Sequence, residues 1–132
     1  MLREPAPRIL VVDDEFEMAA MIVEELGDRG YSAVALRSGR EALERLERET
    51  FDAVVTDLRM PGVDGLALLR ASRELDPSRP VILMTAHGAI DAALEAVGNG
   101  AFHYLTKPFS LARLVELLES ALRESPRPGA AR

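Results

Sequence analysis

Apolar residues in this chain follow two alternating rhythms. Short runs of apolar and β-branched residues, at Ile9 to Val12, Tyr31 to Leu36, Ala53 to Thr56, Val81 to Met84 and Phe102 to Thr106, have the length and composition of buried strands. Between and after them, apolar residues recur at helical spacing. Met18, Ile22, Val23 and Leu26 form the first such stripe, Ala42, Leu43 and Leu46 the second, and Leu66, Leu68, Leu69 and Leu75 the third. Ile90 to Val97 gives a fourth helix, and Leu111, Leu114, Val115, Leu118 and Leu122 give a long fifth one. Strands alternating with helices predict βα units wound into a parallel sheet, an α/β fold.

Punctuation residues support these boundaries. Gly30 stops the first helix after Arg29, Pro61-Gly62 marks a turn, and Asp76-Pro77 breaks the third helix. Ser38 followed three residues later by Glu41 is a capping box, and Ser110 can cap the last helix. Gly98 and Gly100 flank Asn99 and weaken the end of the fourth helix, since glycine costs about 1 kcal/mol in a helix. That end is a candidate for motion. The segment from Ser125 to Arg132, rich in Pro, Gly, Ala and Arg, reads as a linker or tail, and residues 1–7 as an N-terminal extension. One domain over residues 8–124 is expected.

Composition narrows the chemistry. With 132 residues, 48% of them hydrophobic, the chain can bury a core of its own. It contains no cysteine, so disulfides and thiolate metal sites are excluded and a bound metal must rely mainly on oxygen ligands. No apolar run approaches the roughly 18 residues of a membrane span, and Met1 to Arg8 lacks a signal peptide's apolar core. A soluble, cytoplasmic protein with no membrane contact is expected. A formal net charge of -6 argues against direct nucleic-acid contact, which needs clustered positive charge.

Polar residues of particular types stand where the apolar runs end. Asp13 and Asp14 follow the first run, Asp57 the third, Thr85 the fourth and Lys107 the fifth. In a parallel sheet all of them gather along the carboxyl edge, where open α/β sheets bind ligands. Three carboxylates in a small volume repel one another, and a divalent cation relieves that repulsion; magnesium suits oxygen ligands and keeps several waters. A carboxylate can also attack a phosphoryl group when cations neutralise the transferring oxygens. Asp57 is the candidate nucleophile, with Lys107 and the Thr85 hydroxyl as partners for phosphoryl oxygens. Gly62 and Gly65 keep the following loop tight beside the incoming donor. Aspartate also caps helices at strand-to-helix junctions, and for any one of the three that reading suffices. Lys107 is the only lysine among sixteen basic residues, which by itself means little; its place between an apolar run and Pro108 means more.

Four motifs then carry a family resemblance. They are Val11-Val12-Asp13-Asp14-Glu15, Thr56-Asp57-Leu58-Arg59-Met60-Pro61-Gly62-Val63-Asp64-Gly65, Met84-Thr85-Ala86-His87 and Tyr104-Leu105-Thr106-Lys107-Pro108-Phe109. In this order, from about Arg8 to Arg123, the chain resembles the receiver domains of two-component response regulators. Met60-Pro61-Gly62, Thr85-Ala86-His87-Gly88 and Gly100-Ala101-Phe102 look most like receivers of NtrC-like transcription activators.

The resemblance implies a doubly wound, flavodoxin-like three-layer sandwich with five parallel strands in the order 2-1-3-4-5. It implies that Asp57 accepts a phosphoryl group from the phosphohistidine of a sensor histidine kinase, with magnesium, or manganese in its place, as the required ion. Asp14, Asp57 and the backbone carbonyl of Arg59 would bind that ion directly and Asp13 largely through water. Thr85 and Tyr104 would form a switch that alters the face of the fourth helix, fifth strand and fifth helix; for Tyr104, plain core packing is the competing reading. The Arg59 side chain and His87 would tune loss of the phosphoryl group, and Lys107-Pro108 would hold a cis peptide, which the sequence alone leaves open. Such a domain is a switch that gains and loses its own phosphoryl group, not an enzyme acting on outside substrates. Its partners would be the kinase and an output domain or target protein, and a homodimer formed on phosphorylation stays open.

Two functions compete from outside this family. A haloacid-dehalogenase-like phosphatase also forms an aspartyl phosphate, but needs a second aspartate two positions after the nucleophile, where this chain has Glu15 after Asp13. A flavin-binding protein of similar sheet order needs a phosphate-cradling loop after the first strand, and Asp13-Asp14-Glu15 would repel that phosphate. Within the family, a stand-alone regulator competes with the receiver of a longer one, and the tail favours the latter.

Overall fold

A computed structural model describes residues 5–86 and 89–124. The elements run β1 (Arg8–Val12), α1 (Phe16–Asp28), β2 (Ser32–Leu36), α2 (Gly39–Arg48), β3 (Ala53–Asp57), α3 (Gly65–Leu75), β4 (Val81–Thr85), α4 (Ile90–Gly98), β5 (His103–Thr106) and α5 (Leu111–Glu124). All strand pairs are parallel, in the order β2-β1-β3-β4-β5. The fold and strand order expected from the sequence are those observed.

Alternation along each strand divides the core in two, because successive side chains leave opposite faces. Ile9, Val11, Val55, Ile82 and Met84 meet Ala19, Ile22 and Leu26 of α1 and Leu114 and Leu118 of α5. Leu10, Val12, Val54 and Leu83 meet Ala42 and Leu46 of α2, Leu68 and Leu69 of α3 and Ala96 of α4. The central strands β3 and β4 are buried throughout, which explains why they read as unbroken apolar runs.

Boundaries differ from the sequence reading by a residue or so, for local reasons. Strand β2 begins at Ser32 because the Tyr31 N–H donates to Leu26 O at 3.0 Å, closing α1 through Gly30 at φ 94°. Ser38 Oγ accepts from Glu41 N at 3.0 Å, and Ser110 Oγ accepts from Arg113 N at 3.0 Å, so both predicted caps form. At the other end of the sheet Arg8 donates its backbone N–H to Asp52 and its guanidinium to Glu49, lying over the Phe51 ring.

The loop after β3 is compressed against the strand it leaves. Gly65 N donates to Leu58 O at 2.8 Å, and a Cβ on Gly65 would lie 2.4 Å from Asp57 O and 2.7 Å from Leu58 Cα. Both obstacles are backbone and neither can swing away. Gly65→Ala should therefore lower stability by about 1–3 kcal/mol, as overpacking does. Gly27→Ala, within α1 with nothing near the added methyl, should raise it by about 0.5–1 kcal/mol. Thermal unfolding followed by circular dichroism separates the two; a Gly65→Ala midpoint equal to wild type would show that the loop has room to move.

Candidate functional site

Parallel pairing brings the carboxyl ends of β1, β3, β4 and β5 to one edge, and their last residues carry the polar groups. Asp13 follows β1, fully buried, with its backbone N–H donating to Leu36 O at 3.0 Å. Its Oδ1 accepts from Glu15 N at 2.9 Å and its Oδ2 from Lys107 Nζ at 2.8 Å. Asp57 ends β3, where the next N–H, of Leu58, donates to Met84 O at 2.8 Å. Asp14 is exposed at the mouth. Among the described residues, Asp13, Asp14 and Asp57 each offer a carboxylate oxygen within 4.8 Å of the others.

Lys107 closes this edge from β5. Its backbone N–H donates to Thr85 O at 2.7 Å, and the Lys107–Pro108 peptide is cis. From there the ammonium reaches Asp13 at 2.8 Å, Glu15 at 3.5 Å and Asp57 at 3.7 Å. Thr85 ends β4, buried, and its hydroxyl has no hydrogen-bond partner among the described residues. Tyr104 is half-buried on β5 and packs in the core layer of Leu83, its register partner. Since Leu83 and Thr85 share a face of β4, Thr85 and Tyr104 lie on the same side of the sheet. Arg59 is exposed on the loop after Asp57, and His87 lies outside the described residues.

Helix capping accounts for little of this cluster. Asp64, not Asp57, caps α3, with Oδ1 accepting from Ala67 N at 2.9 Å. The cap position of α1 is Glu15, whose side chain makes no cap bond. Sequence reasoning did not single out the reach of Glu15 to Lys107, the capping role of Asp64, or Arg37 standing 4.8 Å over the Phe16 ring. Asp64 could have been found from its place three residues before Ala67; the other two depend on spatial neighbours.

The electrostatics follow from crowding. Burial raises the pKa of Asp57 from 3.8 to about 6; Asp13 and Asp14 add to the rise, while Lys107 and the Leu58 N–H oppose it. For Lys107 burial disfavours the charge, but the hydrogen bond to Asp13 and the attraction of Asp57, Asp13 and Glu15 outweigh it and raise the pKa. The donor set fits a divalent cation: all-oxygen, anionic, and short of positive charge with one lysine against three aspartates.

Because Asp57 holds its proton more tightly in the folded state, the folded protein binds more protons than the unfolded chain between pH 3.8 and about 6, and this contribution to stability falls as pH rises. Above that window the ionised carboxylate costs on the order of 2 kcal/mol. In metal-free buffer Asp57→Asn should thus be more stable than wild type at pH 7, with the difference shrinking toward pH 4. Denaturant unfolding across that range checks this; a variant no more stable at pH 7 would contradict the crowding.

Comparison with known proteins shows the family. The sequence model of the response regulator receiver domain matches residues 9–119. The DNA-binding transcriptional regulator NtrC of Escherichia coli K12 is 42% identical over 114 residues, which are 86% of this chain and 24% of that protein. The transcriptional regulatory protein ZraR of the same organism is 40% identical over 114 residues, 86% of this chain and 26% of that one. This chain therefore spans about a quarter of the length of these relatives. Among solved structures, NtrX from Brucella abortus superposes with a TM-score of 0.86 at 34% identity, covering 91% of this chain and 28% of that one. A response regulator receiver domain protein from Clostridium thermocellum gives 0.84 at 33% identity, covering 89% and 95%. With its acidic pocket at the carboxyl edge of a 2-1-3-4-5 sheet, the chain belongs to the response regulator receiver domain family, on the side of the NtrC-like activators.

Proposed function

We propose that this domain, over residues 8–124, is a phosphorylation switch whose phosphoacceptor is Asp57. The observation that carries the reading is the meeting of Asp57 with the Lys107 ammonium at 3.7 Å, together with a buried hydroxyl at the next strand end, that of Thr85, which has no hydrogen-bond partner among the described residues. A hydroxyl left in that state costs about 1–3 kcal/mol, and a phosphoryl oxygen at Asp57 would supply the missing acceptor. The donor is the phosphohistidine of a sensor histidine kinase. An Asp57 oxygen forms the new P–O bond while the P–N bond breaks, and its electron pair leaves with the imidazole. Lys107 pairs with a phosphoryl oxygen, and Thr85 donates to another.

Asp13, Asp14, Asp57 and the Arg59 carbonyl would hold magnesium, or manganese in its place, and when bound the ion neutralises charge on the transferring oxygens. The Arg59 side chain and His87 tune loss of the phosphoryl group by hydrolysis. The domain acts on itself and turns over no outside substrate.

The signal leaves through α4, β5 and α5. Thr85 moves toward the phosphoryl oxygen and vacates space on the sheet face it shares with Tyr104, whose ring then turns inward. NtrC and ZraR are transcriptional regulators roughly four times as long as this segment, which supports placing it as the regulatory domain of a transcription activator. DNA contact then belongs to another domain, and pairing of two copies through the α4–α5 face accompanies phosphorylation. Among the described residues no helix is long and apolar enough to cross a membrane, in keeping with work in the cytoplasm beside the kinase's catalytic part.

Intact mass after incubation with acetyl phosphate tests the reading directly. One phosphoryl group should be gained with magnesium, none after its removal with a chelator, and none by Asp57→Asn. Lack of any gain in folded wild type with either acetyl phosphate or a phosphorylated kinase would refute it. Thr85→Val, which at equal volume removes a hydroxyl that has no partner among the described residues, should stabilise the resting protein by about 1 kcal/mol and still accept the phosphoryl group. It should lose the change in amide exchange over α4 and β5; exchange identical to wild type would remove Thr85 from the relay.

A further inference from the structure

Asp13 and Glu15 share one cation. Asp13 holds Lys107 Nζ on Oδ2 and the Glu15 N–H on Oδ1, so the residue that anchors the lysine also fixes the backbone from which the Glu15 side chain departs. That backbone is held twice more, since Glu15 O accepts from Met18 N at 3.0 Å and Ala19 N at 3.4 Å. Although Glu15 occupies the cap position of α1, its carboxylate leaves the helix alone and turns to Lys107, with Oε1 3.5 Å from Nζ. Asp57 Oδ2 stands at nearly the same distance, 3.7 Å. Two carboxylates thus face the same ammonium at near-equal range, one inside the acidic pocket and one on a side chain that is 73% exposed.

We propose that Glu15 is a positioning residue: it draws the Lys107 ammonium toward the Asp13 side of the pocket and thereby sets how readily an anion at Asp57 recruits it. The consequence rests on the reading of Asp57 as phosphoacceptor; the hold on the lysine does not. An anion at Asp57 pulls the ammonium toward itself, and a lysine stem is flexible enough to follow. Any such shift weakens the Glu15 contact, and the Glu15 charge also repels the anion. Glu15 therefore restrains recruitment twice, while an exposed ion pair of this kind adds little to folding.

Lys107 is the only lysine, so its reaction with an acylating reagent is read at one residue by peptide mass. In metal-free protein Glu15→Gln should raise its acylation rate roughly two- to fivefold, the range that an exposed pair supplies. Glu17→Gln makes the same change of charge on the exposed first turn of α1 and should leave the rate alone. With magnesium present, Glu15→Gln should bind beryllium fluoride, a phosphoryl analogue, tighter by a similar factor. Equal acylation in wild type and Glu15→Gln would overturn the proposal, as would an equal rise in Glu17→Gln or a raised acylation rate with unchanged analogue affinity. Wild type that binds no analogue while its acylation responds to Glu15→Gln would instead refute the phosphoacceptor reading and leave the hold on Lys107 supported.

Discussion

Asp13 is out of water, and its carboxylate is satisfied from two directions: by the N–H of Glu15 two residues on, and by the ammonium of Lys107 from 94 residues away. The first bond is local and forms with the turn after β1. The second forms only when β5 has docked beyond β3 and β4, so it ties the first strand of the chain to the last across β3 and β4. A buried carboxylate stripped of its cation is costly, about 3–5 kcal/mol when one partner of such a pair is removed. The closing of β5 and the neutralisation of the acidic edge are thus one event. Here the Lys107 backbone, bonded to Thr85 O at 2.7 Å, matters as much as its charge, because it decides where the ammonium begins its reach.

One cation does not satisfy three aspartates, and the remainder of the site shows it. Asp57 is buried with a pKa pushed to about 6, while Glu15 leans in from solvent to the same ammonium. A pocket that is short of positive charge favours a divalent ion. On the proposed reading, a phosphoryl group would be disfavoured there without that ion, and order of addition would be a property of the charge count rather than of a moving part.

Much of this was legible in the sequence, and for identifiable reasons. The core strands β1, β3 and β4 are buried on both faces, so they stand out as apolar runs, and each of their ends is marked by a residue of distinct chemistry. Ser38 and Ser110 signalled their helices because a capping hydroxyl acts within three residues. Asp57 and Asp64 show where such reasoning loses its grip: either could cap α3, and only the path of the loop, pressed against Asp57 O by Gly65, leaves that role to Asp64. Glu15 was legible as one more acid in a motif, but not as a second claimant on Lys107, since nothing local tells residue 15 where residue 107 will stand. The same holds for Arg73, whose guanidinium lies over Gly100, where φ is +107°, and donates to its carbonyl at 3.4 Å. The weak end of α4 was readable from two glycines; the side chain covering it was not.

That covered end bears on how a local charge event could travel. Around α1 and α5 the sheet is backed by long helices with continuous buried stripes, and displacement there would open the main core. Around α4 the packing is thinner: the helix is short, Leu94 and Val97 on it are exposed, and Tyr104 beside it is only half-buried. Segments with few buried contacts reorganise at low cost, and those are the ones a modest bias can shift. On the proposed reading, new bonds to Lys107 and Thr85 would be worth only a few kcal/mol, too little to displace α1 or α5 but comparable with what holds α4, so that α5 serves as the fixed flank of the face that α4 and β5 alter. On the proposed reading, the direction of signalling is set by this asymmetry of packing: the same pull at Asp57 is felt on both faces of the sheet, and only one face can afford to move.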